Sequence, residues 1–73
     1  MQSKKTHHVV PNLDGTWDIR LGGSWRSTGR FEKKKQALAR AREISRRENG
    51  ELVIHHRDGR ITHQPMDAPG AGQ

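Results

Sequence analysis

Seventy-three residues, 29% of them hydrophobic, with no cysteine and a formal charge of +6, allow one small domain and exclude disulfides and thiolate metal sites. No apolar run approaches the ~20 residues of a membrane-crossing helix. The N-terminus, Met1-Gln2-Ser3-Lys4-Lys5-Thr6-His7-His8, lacks the hydrophobic segment of a secretory signal, so the expectation is a cytoplasmic protein with no membrane partner.

In chain order, residues 1–5 are expected to be a flexible extension, 6–64 a single α+β domain and 65–73 a disordered tail rich in Pro, Gly and Ala. The first strand is expected from Thr6 to Val10, ended by Pro11, which has no N–H for a ladder. Asp14-Gly15 is a turn signal. Thr16-Trp17-Asp18-Ile19-Arg20-Leu21 then alternates, with Trp17, Ile19 and Leu21 on one face and Asp18 and Arg20 on the other, the pattern of a half-buried strand. Gly22-Gly23 makes the next turn. Ser24 to Phe31 is expected as a third strand, with Trp25, Ser27 and Phe31 inward and Arg26, Thr28 and Arg30 outward.

A helix is expected from about Lys33 to Glu48. Ala37, Leu38, Ala41 and Ile44 form its apolar stripe, and Lys35, Arg40, Arg42, Arg46 and Arg47 occupy the opposite face and its flanks. Glu32 is the expected N-cap, three lysines in the first turn oppose the helix dipole, and Asn49-Gly50 suits a left-handed C-cap. Glu51 to Arg57 and Arg60 to Gln64 flank Asp58-Gly59 and predict a hairpin with a two-residue turn. That register pairs His56 with Ile61 and Ile54 with His63. Leu52, Ile54, His56, Ile61 and His63 then face the helix, and Val53, His55, Arg57, Arg60 and Thr62 face away. The expected fold is β-β-β-α-β-β, a small antiparallel sheet with one amphipathic helix packed on one face. Its core would rest on Val9, Trp17, Ile19, Leu21, Trp25, Phe31, Leu38, Ile44, Leu52, Ile54 and Ile61. Ordering so short a chain costs on the order of 100 kcal/mol, which such a core offsets narrowly. A homodimer that buries further apolar surface is compatible with that balance.

His8-Val9-Val10-Pro11-Asn12, Gly15-Thr16-Trp17-Asp18-Ile19, Ala41-Arg42-Glu43-Ile44, and Glu51-Leu52-Val53-Ile54-His55 through Arg57-Asp58-Gly59-Arg60-Ile61 resemble a family of short bacterial proteins, domain of unknown function 2188. The resemblance runs from about Thr6 to His63 and implies a compact α+β fold without assigned activity or catalytic residues. Members usually enter the helix through an Asp-Thr-Lys type of cap followed by acidic residues. Here the entry is Glu32-Lys33-Lys34-Lys35-Gln36, so the basic helix belongs to this chain rather than to the family.

Charge location is the main functional signal. Between Arg26 and Arg47 stand nine basic residues (Arg26, Arg30, Lys33, Lys34, Lys35, Arg40, Arg42, Arg46, Arg47) against Glu32 and Glu43, a net of +7 for that segment. The pattern predicts sequence-tolerant binding of nucleic acid, with Arg offering bidentate geometry to phosphates and Lys a mobile point charge. Against it stands a solvated helix face with partial compensation such as Glu43 with Arg47. An acidic protein partner, or a homodimer without affinity for nucleic acid, is the alternative. Trp17 and Trp25 can stack on bases, but both fall in phase with apolar residues, and Trp25, beside Gly22-Gly23, is the better placed for exposure. No helix-turn-helix, RNP or GXXG motif is present.

The histidines admit one metal arrangement, His8, His56 and His63 on a common face. Without an obvious acidic partner for them, ordinary half-buried strand histidines are expected and no metal or other cofactor is assigned. No nucleophile elbow or phosphate loop exists, and the acidic residues are scattered. A binding protein rather than an enzyme is therefore expected.

Overall fold

The structure, a computed structural model, describes residues 5–65. Of the expected N-terminal extension and C-terminal tail it includes Lys5 and Pro65, and the rest lies outside the described residues. The elements are β1 (Thr6–Pro11), β2 (Trp17–Leu21), β3 (Arg26–Phe31), α1 (Lys34–Arg47), β4 (Glu51–His55) and β5 (Ile61–Pro65). They form one five-stranded sheet in the order β3-β2-β1-β4-β5, with α1 across one face.

The element order and the α+β class agree with the sequence, but the sheet is mixed rather than wholly antiparallel. Its middle junction, β1 with β4, is parallel, with Thr6 opposite Glu51 and Val9 opposite Ile54. Parallel neighbours need a long crossover, and α1 supplies it by returning the chain to the end of the sheet where β1 begins. The central strand is thus the first in sequence, flanked by the β1–β2–β3 meander and the β4–β5 hairpin.

Ala37, Ala41 and Ser45 recur every four residues on α1, and all three are fully buried. Small side chains along this line let the helix lie close over Val9, Trp17, Ile19, Leu52 and Ile54, with Phe31, Leu38 and Ile44 packed around the margin. The helix starts one residue later than a Glu32 cap would give. Lys33 is the extended N-cap residue, and its N–H donates to Gln36 Oε1 at 3.3 Å. Its other end is a Schellman motif. Asn49 is left-handed (φ 57°), Gly50 N donates to Ser45 O at 2.9 Å, and Asn49 N to Arg46 O at 3.3 Å. Glu51 N then bonds Lys5 O at 2.9 Å. The chain passes so close to Lys5 that a Cβ on Gly50 would run into the Lys5 carbonyl.

Two local irregularities reverse face assignments made from strict alternation. In β3, pairing runs Trp17–Phe31, Asp18–Arg30 and Ile19–Gly29, then shifts to Arg20–Ser27 and Leu21–Arg26. Thr28 is the extra residue of a β-bulge, and its hydroxyl bonds Ile19 O at 3.2 Å. Directly opposed residues share a face, so Ser27 lies on the side away from the helix and Arg26 on the helix side, the reverse of the expected alternation. Trp25 precedes the strand altogether. In the second hairpin, His56 N donates to Arg60 O at 2.9 Å, Gly59 N donates to His56 O at 3.0 Å, and Gly59 has φ 96°. This is a three-residue loop ending in a left-handed glycine, not a two-residue turn. The register slips by one residue: His55 faces Ile61, Ile54 faces Thr62 and Val53 faces His63. Thr62 therefore joins Leu52, Ile54 and His56 on the helix side. Ile61 and His63 move to the open side with His55 and Val53.

The expected core is corrected accordingly. Trp25 and Ile61 are 46% and 58% exposed, because the bulge and the slipped register remove them from the helix side. Val53, expected on the outer face, is buried there between strands carrying His8 and His63.

Candidate nucleic-acid interface

The nine predicted basic residues divide into three groups. Lys35, Arg42 and Arg46 lie with Ala39 along one line of α1, opposite the buried Ala37–Ala41–Ser45 line, and are exposed. At 1.5 Å rise per residue this stripe runs about 16 Å along the helix. Lys33 caps the helix start and is exposed, and Arg26 is exposed on the helix side of edge strand β3. These five have no carboxylate within ion-pair distance among the described residues. Arg40 and Arg47 form the second group: both bind Glu43, at 2.9 and 3.4 Å. One carboxylate thus serves two guanidiniums, and the pair keeps a net positive charge.

The third group is turned inward or to the other side. Lys34 is half-buried, its Nζ 2.9 Å from His56 Nδ1 and 5.5 Å from the ring centre of Trp17. Arg57 approaches the same ring at 4.9 Å, so Trp17 is a core side chain bracketed by two cations. Arg30 projects on the open face of the sheet, where Nε reaches Asp18 Oδ1 at 3.3 Å. Lys34 and Arg30 consequently do not belong to the exposed helix stripe. Glu48, the remaining acid at the helix end, accepts from His7 Nε2 at 3.0 Å. His7 is buried beside a groove of about 290 Å3 that Lys5, Arg40, Arg47 and Glu48 also line. Its Nδ1 has no hydrogen-bond partner among the described residues.

The face away from the helix carries a second polar array that alternation did not foresee. Asp18 is fully buried there and gathers Asn12 Nδ2 (3.0 Å), Arg30 Nε (3.3 Å) and Arg20 Nη2 (2.9 Å). Burial alone would raise the pKa of the Asp18 carboxyl. The Asn12 hydrogen bond, the bond and charge of Arg30 and the charge of Arg20 outweigh it and hold the pKa below the ordinary value. Arg20 also donates through Nη1 to Trp25 O at 2.9 Å, and its guanidinium lies 5.9 Å from the Trp25 ring centre.

Trp25 has φ 60°, a conformation that costs a bulky residue on the order of 1 kcal/mol or more. It closes a four-residue turn through Trp25 N to Leu21 O at 2.7 Å. Its indole lies 4.9 Å from the His8 ring and 6.1 Å from His55, edge-on to the latter. His8 Nδ1 and His55 Nε2 are 3.0 Å apart, so one donates and the other accepts. Burial first, and then the charge of neighbouring histidines, lowers the pKa of both below the usual imidazole value.

The grouping of His8, His56 and His63 that a common face would have allowed does not form. His56 lies on the helix side with Lys34 and Thr62, the Thr62 hydroxyl at 2.8 Å, and His55 takes its place beside His8. Among the described residues no set of three His, Cys, Asp or Glu is arranged to hold a metal. Nor is any helix among them long and apolar enough to cross a membrane.

Residues 7–64 match the family described as uncharacterized protein conserved in bacteria (DUF2188). The chain belongs to this family. Uncharacterized protein YdaT of Bacillus subtilis (strain 168) is 32% identical over 57 residues, covering 78% of this chain and 37% of that protein. The chain therefore spans little more than a third of that relative's length. No solved structure matches the chain.

Proposed function

We propose that this member of the family is a non-enzymatic nucleic-acid-binding protein that contacts the phosphate backbone through the exposed side of α1. The observation that carries this reading is the accounting of the acids around the helix. Glu43 is shared by Arg40 and Arg47, and Glu48 is held by His7. Glu32 at the helix entry forms no ion pair among the described residues, and Lys35, Arg42 and Arg46 form a stripe without an ion-pair partner among them, flanked by Lys33 and Arg26. Its length of about 16 Å matches roughly five phosphates of one strand at ~3.4 Å each. Contacts of this kind position a polyanion without reading its sequence.

Fluorescence anisotropy of labelled duplex and single-stranded oligonucleotides at several salt concentrations tests the proposal. Lys34 and Arg30 make structural contacts, so the informative variant is Lys35→Glu/Arg42→Glu/Arg46→Glu, which leaves the sheet and the Trp17 contacts intact. Wild-type affinity should fall steeply with salt, and the variant should lose about three units of the logarithmic salt slope, ~0.9 for each phosphate contact removed. Identical affinity and slope in the two proteins would exclude the helix stripe as the contact.

A further inference from the structure

The helix-free face of the sheet has the makings of a second contact surface, and Trp25 is its centre. An aromatic side chain left 46% exposed in a domain with three aromatics, and held at φ 60°, occupies a costly position with little burial in return. The turn sets the indole against the His8 and His55 rings, with the Arg20 guanidinium over it at 5.9 Å. The charged side chains beside it are Arg20 and Arg30, and His8, His55 and His63 lie on the same face. The Asp18 carboxylate is buried beneath the two arginines, and Glu51 lies half-buried at one end of the face.

We infer that this open face docks single-stranded nucleic acid, with one unpaired base stacked on Trp25 and the adjoining phosphates next to Arg20 and Arg30. The inference extends the helix-stripe reading by naming the form of nucleic acid, and it rests on that reading for the class of ligand. A duplex keeps its bases stacked on one another and offers none to Trp25, whereas a single strand presents every base with a free π-face. Trp25 and Arg26 are consecutive, with Trp25 over the open face and Arg26 on the helix side. A strand leaving the platform around edge strand β3 therefore arrives at the basic side of the molecule.

The test compares wild type with Trp25→Ala and Trp25→Phe on single-stranded homo-oligonucleotides of about ten nucleotides, within the footprint of small single-strand binders. An abasic strand of equal length and a duplex serve as controls. Wild type should bind the abasic strand about tenfold more weakly than the base-bearing strand, corresponding to ~1.4 kcal/mol. Trp25→Ala should bind both strands alike, Trp25→Phe should recover part of the difference, and duplex affinity should stay the same in all three. Equal wild-type affinity for the two strands, or a parallel loss on duplex and single strand in Trp25→Ala, would overturn the platform. The triple helix variant separates the two ideas. If it weakens binding while Trp25→Ala does not, the platform fails and the helix stripe stands. If Trp25→Ala weakens binding while the triple variant does not, the stripe fails and the platform stands. Absence of binding to every oligonucleotide overturns both.

Discussion

The two faces of this sheet are built on opposite chemical plans. The helix side is apolar and small: Val9, Ile19, Leu52 and Ile54 meet Ala37, Ala41 and Ser45. Its cations stand on the far side of the helix, about one helix diameter from the sheet, ~10 Å. The open side has no second layer among the described residues and is organised by polar contacts, Asp18 with Asn12, Arg20 and Arg30, and His8 with His55 under Trp25. Removal of apolar surface from water stabilises the first face. The second depends on a buried charge whose partners must all be present. Stability and candidate binding chemistry are therefore separable at the exposed cations of α1, which contribute little to the core, and joined at Arg20 and Arg30, which also hold the buried Asp18.

That separation can be broken most severely from the covered side. Ile19→Ala should cost ~3 kcal/mol, a loss of roughly 12–24 °C in Tm for a domain of this size, readable by circular dichroism melts. The open side's largest effect should come from Asp18→Ala. It leaves Arg20 and Arg30 without their carboxylate and should cost about 2 kcal/mol. Asp18→Asn keeps the shape but has one acceptor oxygen where the carboxylate has two, so it retains the bond to Arg20 or the bond to Arg30, not both, and should fall between Asp18→Ala and wild type. A cost for Asp18→Ala equal to that of an exposed substitution would mean that the open face is not held by its ion network.

The smallest effect is the pH dependence of the histidine pair. His8 and His55 have folded pKa values below the ordinary 6.5 because burial, and then the charge of His55 on His8 and of His56 on His55, disfavours their charged forms. The unfolded chain therefore takes up their protons first as pH falls. Their contribution should be intact above 6.5 and should decline as pH drops through and below that value. Asp18 acts in a separate, lower window, its contribution present above the ordinary 3.8 and lost as pH falls below it. Melts of wild type and His8→Gln/His55→Gln across the histidine window should show a shallower dependence in the variant, and parallel curves would assign the dependence elsewhere.

Much of the architecture was legible because it depends on local pattern. The Trp17–Ile19 alternation, the Ala37–Ala41 stripe and the Asn49-Gly50 stop each state their element without reference to the rest of the chain. The misplaced residues all follow from choices that local pattern leaves open. Asp58-Gly59 fits both a two-residue turn and a three-residue loop closed by a left-handed Gly59. The observed loop decides that Ile61 and His63, rather than Thr62, face outward. Thr28 bears no mark of a bulge, so Arg26 and Ser27 were assigned to the wrong faces and Trp25 to the core. The exposed helix cations were legible from helical spacing alone. The second cluster was not, since His8, Trp25 and His55 meet only through two strand pairings and a turn. Asp18 read as a solvent-facing polar residue, because nothing in its neighbours shows that two arginines and Asn12 cover it.

The parallel junction between β1 and β4 has a consequence for how the chain is made. Thr6 pairs with Glu51, so the middle strand of the sheet is synthesised first and receives its second neighbour only after the whole helix has emerged. Until then the β1–β2–β3 meander carries β1 as an open edge whose Val9 and Val10 are exposed to other nascent chains, the circumstance in which edge-to-edge association is most favoured. Closure of a separation this long is entropically slow. The Schellman stop and the seating of Gly50 against Lys5 fix the point at which the returning chain must engage, and pairing of β4 with β1 is the event that ends the exposed interval.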